Sequence, residues 1–509
     1  MRPLSFLIIS LCAASCVTER GPLTNQMARS RTRYLARAAD EPVSWQPWGR
    51  DAFAIAARLN RPILLSVGSE ECRLCAEMDR ETYGDAATGA LIDSLFVPVR
   101  VDRDERPDVA QRYQTAVQLL SGLHGYPLTV FLTPDGSAFF GGTYFPHDDA
   151  LTGRGMRQIL PEVARSFSDQ HPFVLRQAAL VRQLGYTRTV GAHGVLEARA
   201  ISDQIARIRV AAATALRSRV PLEMSGYASA ASLLIAASAR GNDTSELGVA
   251  KAALDYAADS GLALSRVGDR DEPTDVVRAW MLRNLAAGWA LTAESRYRTA
   301  GRHVLRSLLD TLRADDDPGA FSDRRAFVIG AVLDASATLS DTAAERRGLA
   351  ALDALLARAY VKGEGVRHGG SGRSGVNLLL QDQVQVAGAC LAAYAATREA
   401  DYLQVGSDLA AILERDFADP LGGYFDAAGT DPAAPSLADR TKQLADDALP
   451  GANPWAARVL LELADATGNT RYRRRAEATL EAFAGIAPAE GIRASTFLAV
   501  AQAVLSARS

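Results

Sequence analysis

This chain changes character near residue 190, and that change limits its fold more than any other feature. Before it, short apolar runs alternate with helical stretches. Beyond it, nearly every segment carries the 3.6-residue period of a helix. Residues 62–67, 96–101 and 127–132 read as buried strands, and residues 138–140 as a fourth. Pro98 marks its strand as an edge or an irregularity. Helical stretches run from Cys72 to about Ser94 and from Pro107 to about Leu120, with Pro107 suited to a first turn. At 509 residues the chain is too long for one ordinary domain. An α/β unit over residues 31–185 followed by an all-α unit over 190–509 is the expected division. Abundant alanine with only 7% aromatic residues fits closely packed helices in the second unit.

A Cys72-x-x-Cys75 pair follows the first strand and opens a helix. At such a place the unpaired backbone N–H groups and the helix dipole favour a thiolate on Cys72. Cys75, one turn on, can then resolve a mixed disulfide. Arg73 adds positive charge, while Glu70 and Glu71 oppose it. Two other readings of the pair are a static structural disulfide and a zinc site, but a zinc site needs two further ligands and no second cysteine pair exists. Tyr126-Pro127 stands between a loop and a strand about 50 residues after the cysteines. Only proline makes a cis bond cheap, and a cis-proline there would present backbone to a substrate. Dithiol, proline and strand order together are those of a thioredoxin-like domain. Cys390 reads as a small buried hydrophobe.

The first 15 residues read as a signal peptide: Arg2, an apolar run from Leu4 to Leu11, then Ala13-Ala14-Ser15. Cys16 is the lipidation candidate, with plain secretion as the alternative, and residues 16–30 are polar enough for a tether. Export with a lipid anchor on the periplasmic side, in the outer membrane rather than the inner, is the expected location. A net charge of −3 and the lack of a long basic run exclude nucleic acid as a partner. Six scattered histidines argue against a His-rich metal site, and no organic cofactor is implied because the dithiol carries electrons.

In the helical half a weak repeat recurs: Thr292-x4-Tyr297, Thr397-x4-Tyr402 and Thr467-x4-Tyr472, with Thr338 as a poorer copy. The copies lie 46, 59 and 70 residues apart, too far for a tetratricopeptide array at about 34. Helical hairpins of this size suit an α/α toroid of six-hairpin type, complete or incomplete; an irregular solenoid is the other arrangement.

Several motifs occur in order: Trp45-Gln-Pro-Trp48, Arg61-Pro-Ile-Leu-Leu-Ser66, the Cys72/Cys75 pair, Val101-Asp-Arg-Asp-Glu-Arg-Pro-Asp108, Gly125-Tyr-Pro-Leu-Thr-Val-Phe-Leu-Thr-Pro-Asp135 and Gly141-Gly-Thr-Tyr-Phe-Pro146. Together they resemble the spermatogenesis-associated, thioredoxin-domain family. The resemblance implies a thioredoxin-like domain joined to an α/α toroid similar to sugar epimerases and glycosidases. It extends more thinly to Leu380-Gln-Asp382, to Gly422-Gly-Tyr-Phe-Asp426 and to Lys442-x3-Asp446-x-Ala448-x-Pro450-x2-Asn453. The family's histidines around the cysteines are replaced here by Arg73, Leu74 and Ala76. Its pocket-lining segments near residues 221–226 and 272–284 are eroded, which weakens sugar chemistry. Thiol–disulfide exchange through Cys72 and Cys75, with Tyr126 and Pro127 contacting a protein client, is the expected function. The alternative is a carbohydrate-active or carbohydrate-binding toroid in which Asp382, Asp446 and Asn453 line the pocket. Trp45 and Trp48 read as core residues. Asp102, Asp104, Glu105 and Asp108, interleaved with Arg103 and Arg106, read as a charge-paired turn rather than a metal site.

Overall fold

The computed structural model describes residues 23–508, except 149–153, 191–192, 218–224, 241–243, 264–273, 313–320, 370–377, 433 and 438. The signal segment and Cys16 lie outside the described residues. From Leu23 onward, the stretch expected to act as a tether lies on the first domain instead. Met27 is fully buried, and the Gln26 N–H donates to the Trp45 carbonyl at 2.8 Å. A buried methionine outweighs the polar composition that suggested a free linker.

Five strands form the first domain's sheet: β1 (Gln46–Pro47), β2 (Ile63–Gly68), β3 (Val97–Asp102), β4 (Leu128–Leu132) and β5 (Ala138–Gly142). Their order is β1-β3-β2-β4-β5, with β1, β2 and β3 parallel and β4 and β5 antiparallel additions. Helices α1 (Arg33–Arg37), α2 (Arg50–Leu59), α3 (Arg73–Met78), α4 (Ala86–Leu95), α5 (Pro107–Ser121), α6 (Met156–Asp169) and α7 (His171–Val190) complete the domain. β2, β3 and β4 are buried at every position, as central strands covered on both faces must be. Pro98 sits one residue before the short stretch of β3 that pairs with β1.

The single helix expected from Cys72 to Ser94 is interrupted. After α3 the chain widens into a π-type turn, Asp79–Tyr83, and α4 begins afresh. Asp85 restarts it, its carboxylate accepting the Thr88 N–H at 2.7 Å, a regular N-cap.

The second domain closes into a ring. Its inner helices are α9 (Ser225–Arg240), α11 (Asp275–Thr292), α13 (Ser322–Leu339), α15 (Leu380–Thr397), α17 (Ala452–Thr467) and α20 (Ser495–Ser506). Each packs on the next, and α20 packs back on α9. Outside them lie α8 (Ala198–Arg217), α10 (Thr244–Ala263), α12 (Ser295–Thr311), α14 (Thr342–Ala359), α16 (Ala400–Ile412) and α18 (Thr470–Glu481), while α19 (Ala487–Glu490) precedes α20. Six outer–inner hairpins thus make a complete α/α toroid. The repeat has a physical basis. Thr292, Thr397 and Thr467 each donate their hydroxyl back one turn and accept the N–H two residues on, ending an inner helix. Tyr297 and Tyr402 then anchor the next outer helix, donating at 2.7 and 2.8 Å to Asp255 and Asp353 on neighbouring outer helices.

The two domains are stitched together. The segment between α16 and α17 crosses the sheet domain and sends Ala434 and Leu437 into its core. Arg106 pairs with Asp431 at 2.6 Å, Arg112 with Asp439 at 2.6 Å, and the Trp48 indole donates to Asp431 at 2.8 Å. Trp45, by contrast, is wholly core. No described helix is long and apolar enough to cross a membrane.

Candidate functional site

Cys72 caps the N-terminus of α3, its sulfur accepting the Cys75 N–H at 3.1 Å, and the two residues are joined as a disulfide with Cα atoms 5.1 Å apart. Cys75 is buried and Cys72 half-buried, so the outer sulfur is the one a client would meet.

Sheet register brings the proline to this dithiol. Val67 pairs with Leu128 in the β2–β4 ladder, which sets Gly68 beside Pro127. The Tyr126–Pro127 bond is cis. Gly68 has no room for a side chain: a Cβ there would lie 2.3 Å from the Tyr34 hydroxyl and 2.9 Å from the Cys75 sulfur. Glycine at this point lets hydroxyl and sulfur converge on the strand end.

Beneath them lies a charge that the residue pattern did not announce. Arg100, across the ladder from Ser66, is completely buried. Its guanidinium meets Asp79 at 2.6 Å and Glu41 at 3.1 Å, and rests over the Tyr34 ring at 4.4 Å. Trp45 and Tyr83 close the cage at 5.5 and 5.9 Å. Burial pushes the Glu41 carboxyl up to about 7 against the opposing pull of Arg100. Burial also raises the Tyr34 hydroxyl, despite Arg100, so it remains a neutral donor. The one signal in the sequence was a lone arginine inside an otherwise apolar strand.

The acidic flank of the dithiol is neutralised from both domains. Glu70 pairs with Arg37 at 3.0 Å, and Glu71 with Arg324 of the toroid at 3.1 Å. Arg324 also reaches Asp104. The turn after β3 is charge-paired as expected, Arg103 with Asp104 at 3.0 Å and Arg106 with Asp108 at 2.7 Å. Arg103 stacks on Tyr126 at 4.7 Å, holding the half-buried ring at the domain junction.

The carboxylates singled out in the toroid are engaged with the fold. Asp382 is wholly buried, accepting the Asp323 N–H at 3.0 Å and facing His368 Nδ1 at 3.0 Å. Asp446 accepts the Gly451 and Thr496 N–H groups, both at 2.9 Å, and burial raises its carboxyl to about 6. Asn453 clasps the Tyr424 backbone, accepting its N–H at 2.7 Å and donating to its carbonyl at 2.9 Å. The three share no hydrogen-bond partner among the described residues. Cys390 is buried in α15, and burial raises its thiol.

Asp323, His368 and Asp382 could converge on a cation, since their donor atoms lie within 4.8 Å of one another. The imidazole is already committed on both sides, however. Nδ1 donates to Asp382 and Nε2 donates to the Asp104 carbonyl at 2.7 Å. Two acceptors require two N–H groups, hence an imidazolium with no lone pair for a metal. Burial opposes that charge, but Asp382 and Asp323 outweigh it and lift the group to about 10.

Fold and site together define a thioredoxin-like domain with a C-x-x-C dithiol, joined to an α/α toroid. Residues 24–184 match the model of the Thioredox_DsbH family, described as "Protein of unknown function, DUF255". That match spans the first domain alone. The chain is 40% identical over 157 residues to human spermatogenesis-associated protein 20, and 44% over 160 to uncharacterized protein B0495.5 of Caenorhabditis elegans. Each match covers 31% of this chain, and only 20% and 22% of the two relatives, so the chain aligns with about a fifth of their length. Among solved structures, an unsaturated glucuronyl hydrolase specific for heparin superimposes with a TM-score of 0.46 at 10% identity, covering 61% of this chain and 98% of its own. The GH76A α-1,6-mannanase of Salegentibacter sp. HEL1_6 gives 0.44 at 11%, covering 60% and 99%.

Proposed function

We propose that this chain is a thiol–disulfide oxidoreductase acting outside the cytoplasm. In the reduced protein the Cys72 thiolate attacks a client disulfide, forming a mixed disulfide and releasing one client thiolate. Cys75 then displaces the second client sulfur, leaving the client with two thiols and the protein with its Cys72–Cys75 bond. The reverse sequence oxidises a client dithiol. The reading rests on one observation: a half-buried outer sulfur bonded to a buried inner one at a helix start beside the Tyr126–Pro127 corner. Tyr126 and Pro127 would offer backbone to an extended protein client. Titration against glutathione, with insulin reduction as the turnover assay, tests it. The wild type should exchange and Cys72→Ser should lose turnover altogether; an inert wild type rules the proposal out. Anchoring through Cys16 is part of the same proposal, on the evidence of the apolar leader. Labelled palmitate should be incorporated by the wild type and not by Cys16→Ala.

A further inference from the structure

The described residues do not fill the ring at its centre. A cavity of about 800 Å³ runs between α9, α11, α13, α17 and α20. It begins at Ser229, Trp280 and Thr496, over the loop that carries Asp446, and ends at the last residues of the inner helices. That mouth faces away from the thioredoxin-like domain, which packs against the opposite ends around Arg324 and His368. Protein interiors seldom leave such a space, and the volume falls in the range of small-molecule pockets, roughly 300–1,000 Å³.

Small and apolar side chains make the space. Ala287 and Ala290 stand on an inner helix yet are exposed, because none of the described residues opposite fills the bore. Ala239, Ala503, Leu233 and Leu291 continue the wall. The aromatic faces that a sugar would need are already used. Arg458 lies over Trp455 at 4.3 Å and Arg283 at 5.6 Å. Trp280 packs on Phe327 at 5.0 Å and donates its indole N–H to the Ala448 carbonyl at 3.1 Å. Most charges in the wall cancel in pairs: Arg283 with Asp334, Arg458 with Glu462 and Arg473 with Asp465. Arg240, the last residue of α9, has no acidic partner among the described residues. It makes a long hydrogen bond to the Ala236 carbonyl, at 3.4 Å. The chamber is therefore largely apolar, the charges along its wall paired, and among the described residues it is positive at one point of its mouth.

We infer that the bore is a binding site for a single-chain anionic amphiphile, the acyl chain lying along the alanine wall and the acid group meeting Arg240. Burial of the chain supplies affinity, and the arginine fixes which end stays outward.

The test uses the full-length protein and the fluorescent probe 11-(dansylamino)undecanoic acid. Saturable one-to-one binding is expected, displaced by decanoate and about tenfold less well by decanol, which lacks the charge. Arg240→Glu should weaken decanoate about tenfold and leave decanol unchanged. Ala287→Trp with Ala290→Trp should abolish binding of both by filling the chamber. Both alanines are exposed, so the fold should tolerate them, with the melting temperature as control; should it not, Arg240→Glu on the open rim still decides. Absence of saturable binding, indifference to all three substitutions, or displacement by maltotriose in place of decanoate would overturn the inference.

Discussion

The dithiol of the first domain and the carboxylates of the second both present chemically capable side chains, yet the fold treats them oppositely. At Cys72 the chain leaves a sulfur half-buried and surrounds it with paired charges, a stacked tyrosine and a strand end stripped of its side chain. At Asp382, Asp446 and Asn453 the polar atoms are turned inward and spent on backbone N–H groups and a buried imidazolium. A polar group inside a protein is either satisfied by its neighbours or held ready for a ligand. Residue type and spacing did not distinguish these two cases; the hydrogen-bond partners do.

That contrast can be broken at four points, which fall in size of effect from the first to the last. Replacing Arg100 by Leu leaves Glu41 buried without its hydrogen-bonded cation and Asp79 with only Arg37, at 3.8 Å. It should cost about 3–5 kcal/mol in chemical denaturation; a loss below about 1 kcal/mol would show that the cage is not electrostatic. The second point is pH. His368 is held near 10, against about 6.5 unfolded. Its contribution is therefore complete below about pH 6.5 and lost as pH rises through 10. A stability loss on the order of 3 kcal/mol between about pH 6.5 and 10 is expected, and His368→Gln should flatten it. A wild type equally stable at both ends would refute the imidazolium.

Gly68→Ala comes third. The added methyl meets Tyr34 and the Cys75 sulfur, so about 1–3 kcal/mol should be lost together with a change in the glutathione equilibrium. Unaltered exchange would mean that the strand end moves freely. The smallest effect is expected for Arg324→Ala, which removes the toroid's partner of Glu71. Partial exposure of the Glu71 pair, and Arg103 as a second partner for Asp104 at 3.0 Å, limit the cost to about 1 kcal/mol. The freed carboxylate should raise the Cys72 thiol pKa in the reduced protein, read from the pH dependence of alkylation; an identical profile would separate the two domains functionally.

Much of the first domain was legible because its signals are local. A C-x-x-C after an apolar run, a proline before another and a strand–helix alternation each fit within a few residues, and each has one geometric reading. The ring was legible through Thr292, Thr397 and Thr467, whose hydroxyls do the same capping work in each hairpin. What escaped is non-local. Arg100 gains meaning from Glu41, 59 positions away, and Asp79, 21 away. Asp85 was a readable stop, and the apolar residues on both sides of it hid the break. The cavity left no signal, since an alanine facing empty space looks like an alanine packed between helices.

Leu437 bears on how the molecule can be divided. It comes from the long crossing between α16 and α17, within the fifth outer–inner hairpin, and lies under Gly136, whose hypothetical Cβ would sit 3.0 Å from it. A fragment ending at residue 190 would thus carry an unfilled dent in its sheet packing, and the helical remainder would expose a leucine meant for its neighbour. Heating the intact molecule should give one cooperative transition, since side chains of the helical half complete the interior of the first domain.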